Sequence, residues 1–118
     1  MLNKQLSLSL AFQALADPTR RAMLVRLTRG PATVSDLARP LPISLPAVLQ
    51  HLAVLEDSGL VRSEKSGRVR TCHIEPRALD QAERWLNAQR LEWESRFDQL
   101  ANHLQAMKYG GSTDGDEK

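Results

Sequence analysis

The sequence contains one cysteine, Cys72, and few aromatic residues: two tryptophans, two phenylalanines and one tyrosine in 118 residues. A single cysteine excludes a disulfide within the chain, which is typical of proteins of the reducing cytoplasm. No apolar run approaches the ~20 residues that a membrane-spanning helix requires. Polar residues interrupt the apolar stretch at the N-terminus, so we predict an amphipathic helix there and not a signal peptide. These absences predict a cytoplasmic protein with no membrane partner.

Residues that would indicate an enzyme or a metal site are also missing. The sequence has no glycine-rich phosphate loop, no nucleophile beside a plausible base and no acid pair in a recognisable setting. His73 follows Cys72, but adjacent residues of a strand point to opposite faces, so they do not form a catalytic dyad. The histidines and the cysteine are too scattered to supply the converging ligands that zinc requires. We therefore predict no catalytic residues, no cofactor and no metal site.

The formal net charge of +2 hides an uneven distribution along the chain. Residues 62–70 hold four basic side chains and one acidic side chain, for a net charge of +3. Residues 80–98 hold five acidic and three basic side chains, for a net charge of −2. This asymmetry predicts two surfaces with different partners. The polar end "GGSTDGDEK" predicts a disordered tail, 109–118, after a single domain, 1–108.

Helix and turn signals divide the first half of the chain into short helices. The start, "LSLSLAFQALA", favours a helix, although its Leu–Ser alternation would also fit a strand. Asp17 followed by Pro18 is a typical helix start. In "ATVSDLARPLPI", Thr33 is suited to cap a third helix, and the prolines end it within two turns. Ser44 is suited to cap a fourth helix, 44–57, so these two helices predict a helix-turn-helix.

A short hairpin is predicted directly after the fourth helix. Two β-prone arms, Leu60–Glu64 and Val69–Ile74, flank "KSGR", in which Gly67 supplies the turn. The hairpin carries the basic excess of residues 62–70, and this places positive charge beside the fourth helix. The predicted fold is therefore mainly α with a small β-hairpin, a winged helix-turn-helix.

Past Pro76 the sequence predicts one long helix to about Met107. Its apolar residues recur at heptad spacing, namely Leu79, Leu86, Trp93, Leu100 and Met107, with Phe97 and Leu104 beside them. This spacing is typical of a seam for another helix. We predict a homodimer whose interface includes residues of the first and last helices: Leu6, Leu10, Leu86, Trp93, Phe97, Leu100 and Leu104. An alternative interpretation places Trp85 and Trp93 in a ligand pocket.

Three blocks of the sequence resemble the ArsR/SmtB family of bacterial winged-helix repressors: "ALADPTRRAMLVRL", "SLPAVLQHLAVLEDSGLV" and "GRVRTCHIEP". The resemblance covers residues 5–107. It implies a homodimeric repressor that binds a palindromic operator in double-stranded DNA. Helix 44–57 would enter the major groove, and wing 60–74 would lie on the backbone or in the minor groove. This docking would bring the following residues to DNA: Ser44, Leu45, Ala47, Leu49, Gln50, His51, Arg62, Lys65, Arg68 and Arg70.

Leu45 and Leu49 depart from the family's pattern, in which glutamine or serine is common at these positions. Leucine contacts only thymine methyls or sugars. Direct base reading is therefore expected to depend heavily on Gln50, with Ser44 as a minor aid.

Two features near the fourth helix have alternative interpretations. Arg20 and Arg21 lie in the first turn of their helix, which is an unfavourable place for cations. We expect them to pair with Glu56 or Asp57 more than to contact DNA. His51 has three alternatives, which are to cap a helix, to pack or to contact a phosphate.

The control of the regulator also has several alternatives. The helix "TVSDLAR" lacks the cysteines and histidines of the family's common metal site, and the last helix offers only His103. Cys72 would be a reactive thiol if Arg70 and His73 lowered its pKa, although buried packing is the commoner fate of a strand cysteine. The remaining alternatives are control by an unidentified small-molecule inducer and control by the abundance of the repressor alone. A different function class is a winged-helix adaptor that binds protein and not DNA, which the basic hairpin disfavours.

Overall fold

The computed structural model describes residues 4–112, and these divide into two compact units, one ending at Glu83 and the other beginning at Arg84. Their elements are α1 (Lys4–Leu15), α2 (Pro18–Leu27), β1 (Ala32–Thr33), α3 (Val34–Ala38), α4 (Leu45–Asp57), β2 (Val61–Ser66), β3 (Val69–Ile74) and α5 (Pro76–Ser112). The helical interpretation of the first segment is confirmed. Within this described range, no helix combines the length and the apolar character that a bilayer crossing needs.

The last helix ends later than the sequence indicated. α5 runs to Ser112, past the predicted end near Met107. The first residues of the predicted tail, 109–112, therefore belong to this helix, and residues 113–118 lie outside the described part of the chain.

The predicted helix starts are confirmed by their capping hydrogen bonds. The carboxylate of Asp17 accepts the backbone N–H of Arg20 at 3.0 Å. Thr33 caps α3 in the same way, with its hydroxyl 3.1 Å from the N–H three residues on. Ser44 caps α4, with a distance of 3.3 Å to the N–H of Ala47. Each cap satisfies a backbone donor that the first turn leaves unpaired, and such caps contribute ~1 kcal/mol each.

The core of the first unit lies where the helices meet one face of the sheet. Val48, Leu52 and Leu55 of α4 are completely buried. The other members of this core are Ala14, Met23, Leu24, Leu27, Ala32, Leu37, Leu60, Val61, Cys72 and Ala78. Burying each large aliphatic side chain contributes ~1.5–3 kcal/mol, so three on one face fix the rotation of α4 about its axis. The opposite face of α4 is consequently turned to solvent.

The sheet has three antiparallel strands in the order β1-β3-β2. β2 and β3 form the predicted hairpin, with Ser66 paired to Val69 across a two-residue loop of Gly67 and Arg68. Gly67 has a φ of 62°, a left-handed conformation that glycine adopts without steric cost. The third strand, β1, was not predicted, because two residues are too few to show the alternation of a strand.

A Schellman motif carries the chain from α4 into β2. Gly59 has a φ of 79° and donates its N–H to the carbonyl of Glu56 at 3.0 Å. Leu60 donates its N–H to the carbonyl of Leu55 at 3.1 Å, and both leucines are fully buried. This pair of bonds with its apolar contact is the usual way to end a helix at a left-handed residue. α3, α4 and the β2–β3 hairpin together form a winged helix-turn-helix, as the sequence predicted.

Candidate nucleic-acid interface

The exposed face of α4 is largely apolar. Leu45 and Leu49, one turn apart, have 54% and 38% of their surface exposed. Pro46, Gln50 and Ala53 are exposed beside them, and Gln50 is the one residue of these five whose side chain can donate and accept hydrogen bonds. Ser44 is exposed at the start of the helix, but its hydroxyl is engaged in the cap, and Ala47 is half-buried. The first turns of α4 therefore present one amide among aliphatic groups.

The outer part of β2 and β3 carries an ion-pair cluster around Arg62. Its Nη1 donates to Oε1 of Glu64 at 2.8 Å, and its Nε lies 3.7 Å from Oε2 of Glu75. His73 Nε2 lies 2.9 Å from the same oxygen of Glu64. The hydrogen bond and charge of Arg62, followed by the charge of His73, lower the pKa of Glu64 below its ordinary value. Arg62 thus lies between the carboxylates of Glu64 in β2 and of Glu75, the residue after β3.

A second network joins the wing to the last turn of α4. Nη2 of Arg70 lies 2.5 Å from Oε1 and 2.6 Å from Oε2 of Glu56. Nε of the same guanidinium donates to the hydroxyl of Ser63 at 3.1 Å, and that hydroxyl donates to Glu56. Arg70 therefore has an ion-pair partner 14 residues away along the chain. The net charge of the wing does not reveal this partner, because Glu56 lies outside it. Glu56 and Asp57 are the last acidic residues before the wing.

The tip of the hairpin holds the two remaining cations of the wing. Arg68 lies in the loop and Lys65 lies one position before the end of β2. Both are exposed, and neither has a hydrogen-bond or ion-pair partner among the residues that the structure describes. Of the four basic wing residues predicted to contact DNA, these two keep their charge uncompensated by a neighbouring carboxylate.

Arg20 and His51 form a contact between α2 and α4. Nη1 of Arg20 lies 3.2 Å from Nδ1 of His51, which also lies 3.8 Å from the carboxylate of Asp17. Arg20 also donates to the carbonyls of Gln13 and Ala14, at 3.0 Å and 2.8 Å. A backbone hydrogen bond from Arg20, together with the charges of His51 and Arg20, lowers the pKa of Asp17.

The expected pairing of Arg20 or Arg21 with Glu56 or Asp57 is wrong. Arg21 donates to the carbonyl of Leu15 at 2.7 Å, and Glu56 is bound by Arg70. Both arginines instead bind the carbonyls at the end of α1, where cations are favourable. His51 packs against α2 and does not share the exposed face of α4 with Gln50.

The thiol of Cys72 is completely buried in the core of the first unit. Burial raises its pKa above the ordinary value, and the opposing effect of the Arg70 charge is smaller. The alternative in which Arg70 and His73 make this cysteine a reactive thiolate is therefore wrong. Between residues 4 and 112, no group of three or more potential ligands is arranged to hold a metal ion.

The second unit presents an apolar stripe along α5. Its exposed large residues on this side are Leu86, Trp93, Phe97, Leu100, Leu104 and Met107. Trp93 and Phe97 are in ring contact, with centroids 5.4 Å apart. A shallow groove of about 370 Å³ runs along this stripe, and its lining includes Trp93 but not Trp85. Leu6 of α1 is also exposed, and Leu10 is half-buried.

The sequence is similar to a known domain family and to named transcriptional regulators. Residues 15–64 match the family described as "Helix-turn-helix domain". The Mycobacterium tuberculosis protein named HTH-type transcriptional regulator Rv2034 is 51% identical over 69 residues, which are 58% of this chain and 64% of that protein. The chain thus spans somewhat less than two thirds of this relative's length.

Two solved structures resemble the fold over most of the chain. The crystal structure of an ArsR family transcriptional regulator, RHA00566, is 54% identical, with a TM-score of 0.75, over 80% of this chain and 98% of the other. An ArsR-like transcriptional regulator from Rhodococcus sp. RHA1 is 34% identical, with a TM-score of 0.78, over 86% of this chain and 93% of the other.

Proposed function

Because the chain belongs to the ArsR family of transcriptional regulators, we propose that it is a homodimeric repressor that binds a palindromic operator. α4 enters the major groove, and the β2–β3 wing lies on the backbone or in the minor groove. One observation carries the proposal. Lys65 and Arg68, which have no carboxylate partner among the residues that the structure describes, lie at the tip of the wing, close in sequence to a helix whose first turns are exposed.

The phosphate contacts follow from this arrangement. Lys65 and Arg68 bind the DNA backbone, and the backbone N–H groups at the start of α4 favour a further phosphate. Arg62 and Arg70 contribute less, because carboxylates of the wing and of α4 already compensate their charges. Gln50 is the side chain of α4 that can form hydrogen bonds with a base edge.

The dimer is supported by the apolar stripe of α5. Trp93, Phe97 and Leu100 are each more than half exposed, and contiguous apolar surface of this kind marks an interaction site. Its heptad spacing is suited to a second helix of the same kind. A homodimer with two-fold symmetry presents two copies of α4, and its half-sites are then spaced by about one DNA turn, ~34 Å.

The test combines two measurements on the full chain. A fluorescence-anisotropy titration on DNA from upstream of its own gene measures specific binding, and sedimentation at micromolar concentration measures the oligomeric state. We expect a dimer that prefers this DNA over random duplex and loses affinity steeply with salt. A monomer without sequence preference would overturn the proposal and favour the adaptor alternative. Repeating the titration with zinc, with a chelator and with peroxide tests for a metal or oxidant that releases the DNA.

A further inference from the structure

The exposed face of α4 lacks the two side chains that most often read guanine. The helix from Leu45 to Asp57 contains no arginine and no lysine. A bidentate contact from one of these two residues to O6 and N7 is the commonest specific contact with guanine in the major groove. The reading helix therefore lacks the usual chemistry for a G·C pair.

The same face has two groups that are suited to A·T pairs. Gln50 is exposed, and a glutamine amide pairs with N6 and N7 of adenine. Leu45 and Leu49 are exposed one turn apart, and an aliphatic side chain in the major groove packs against the 5-methyl group of thymine. Thymine is the one base of ordinary DNA with a methyl group at this edge, so the two kinds of contact select neighbouring A·T pairs.

The fold holds the two leucines in this position. The core face of α4 is fixed by Val48, Leu52 and Leu55, which are fully buried. Leu49 follows Val48, about 100° further around the helix, and Leu45 lies one turn before Leu49, so turning either leucine inward would move Val48 out of the core. The exposure of the leucines is therefore a fixed feature of the reading face.

We propose that Leu45 and Leu49 are specificity-determining residues that read thymine by its methyl group, and that with Gln50 they select an A·T-rich half-site. This inference rests on the proposed function, since it assumes that α4 enters the major groove. It assigns to the leucines a positive role in base selection, in contrast to a face that merely tolerates DNA.

The test removes the thymine methyl without changing any other atom of the base pair. The full chain is used to enrich preferred duplexes from a random library, and each thymine of the enriched half-site is then replaced by deoxyuridine. We expect replacement at one or two positions to weaken binding about fourfold per methyl, the ratio that burial of one such group implies. Symmetric replacement in both half-sites is expected to weaken binding about fifteenfold at a single position of this kind.

A mutant cycle connects this loss to the leucines. In Leu45→Ala and Leu49→Ala, thymine and uracil are expected to bind equally at the position that the missing side chain reads. Comparing the uracil penalty between the wild type and each variant cancels any effect that the methyl group has on the DNA alone. Val25→Ala is the matched control, because Val25 is an exposed aliphatic residue of α2 outside the proposed interface. Gln50→Ala should keep the thymine preference and lose the preference for adenine.

The outcomes separate the inference from the proposed function. Enriched sites that bind equally well with uracil at every position would overturn the methyl contact and leave the repressor proposal intact. A uracil penalty that persists in both alanine variants would assign the methyl to another part of the protein, with the same result. If no duplex were enriched, the proposed function and this inference would both be wrong.

Discussion

Arg70 of β3 holds both carboxylate oxygens of Glu56, at the last turn of α4. The side chains are 35% and 24% exposed, so the pair is screened less than a surface salt bridge. It ties the last turn of α4 to the wing, at the position of β3 that pairs with Lys65. We therefore expect Arg70 to act mainly as a positioning residue, although its charge suggested a DNA contact.

Replacing Arg70 by alanine is expected to lower the free energy of unfolding by ~1–3 kcal/mol, the usual cost of a lost hydrogen bond to a charged group. Urea denaturation measures this loss. In a double-mutant cycle with Glu56→Gln, the stability losses of the two single variants should sum to more than the stability loss of the double variant. Arg39→Ala, which removes an exposed pair with Asp36, is the control and should cost less than about 1 kcal/mol.

Lys65 and Arg68 are expected to account for the salt dependence of DNA binding. Each phosphate contact contributes ~0.9 to the slope of log K against log salt, and a homodimer loses two contacts per substitution. Lys65→Ala and Arg68→Ala should therefore each reduce the slope by about 1.8. Arg62→Ala should reduce it less, because Arg62 is paired with Glu64 and lies near Glu75. Anisotropy titrations at four salt concentrations measure the slopes. Equal reductions for Arg62 and Arg68 would contradict this ranking.

Trp93 and Leu91 offer a matched test of the dimer interface. Both are 60% exposed on α5, but residues two apart on a helix lie on nearly opposite sides. Trp93→Glu places a charge in the apolar stripe and should produce a monomer at micromolar concentration. Leu91→Glu should leave the dimer intact. Sedimentation velocity distinguishes the two, and monomers from both variants would show that the stripe is not the interface.

Gly59→Ala is expected to destabilise the first unit by ~1–2 kcal/mol, because an L-residue is strained in the left-handed conformation. A β-carbon at Gly59 would meet only Cβ of Ala78, at 3.8 Å, so backbone strain and not a clash is the cause. Gly67→Asn should cost less, since asparagine tolerates this conformation better than alanine. Thermal unfolding of the three proteins tests this order.

Acid is expected to remove the contribution of Asp17. Its pKa is lowered from 3.8 in the folded protein, first by the backbone N–H of Arg20. The unfolded chain therefore binds this proton more readily, and stability is present above pH 3.8 and lost as the pH falls through the lower folded pKa. Asp17→Asn keeps a capping oxygen but does not titrate. The difference in stability between the two proteins should therefore shrink as the pH falls, which urea denaturation at several pH values measures.

The sequence predicted those elements whose signals are local. Asp17, Thr33 and Ser44 are each followed by a helix whose N–H they accept, so a few consecutive residues were sufficient. Gly67 and its flanking arms predicted the hairpin for the same reason. β1 escaped prediction because its pairing of Ala32 with Cys72 spans 40 residues and leaves no periodic pattern in two.

The site was harder to predict, because charge composition does not reveal which cations are already paired. Composition alone predicts that all four basic wing residues contact DNA, yet the fold brings Glu56 to Arg70 and Glu64 to Arg62. The exposure of Leu45 and Leu49 was predictable, since the buried positions of α4 follow a helical period. The exposure of the two leucines therefore followed from the sequence. The pairing of Arg62 and Arg70 with carboxylates is visible only in the tertiary contacts.

Thr33 belongs to two structures at once. It caps α3 with its hydroxyl and pairs with Thr71 of the central strand β3, whose other edge carries β2. The helix-turn-helix and the wing are thus both attached to β3, so a displacement of one relative to the other would break strand pairing. A change of affinity for the operator through bending within one subunit is then disfavoured. We expect instead that affinity is adjusted by the spacing between the two copies of α4 in the proposed dimer.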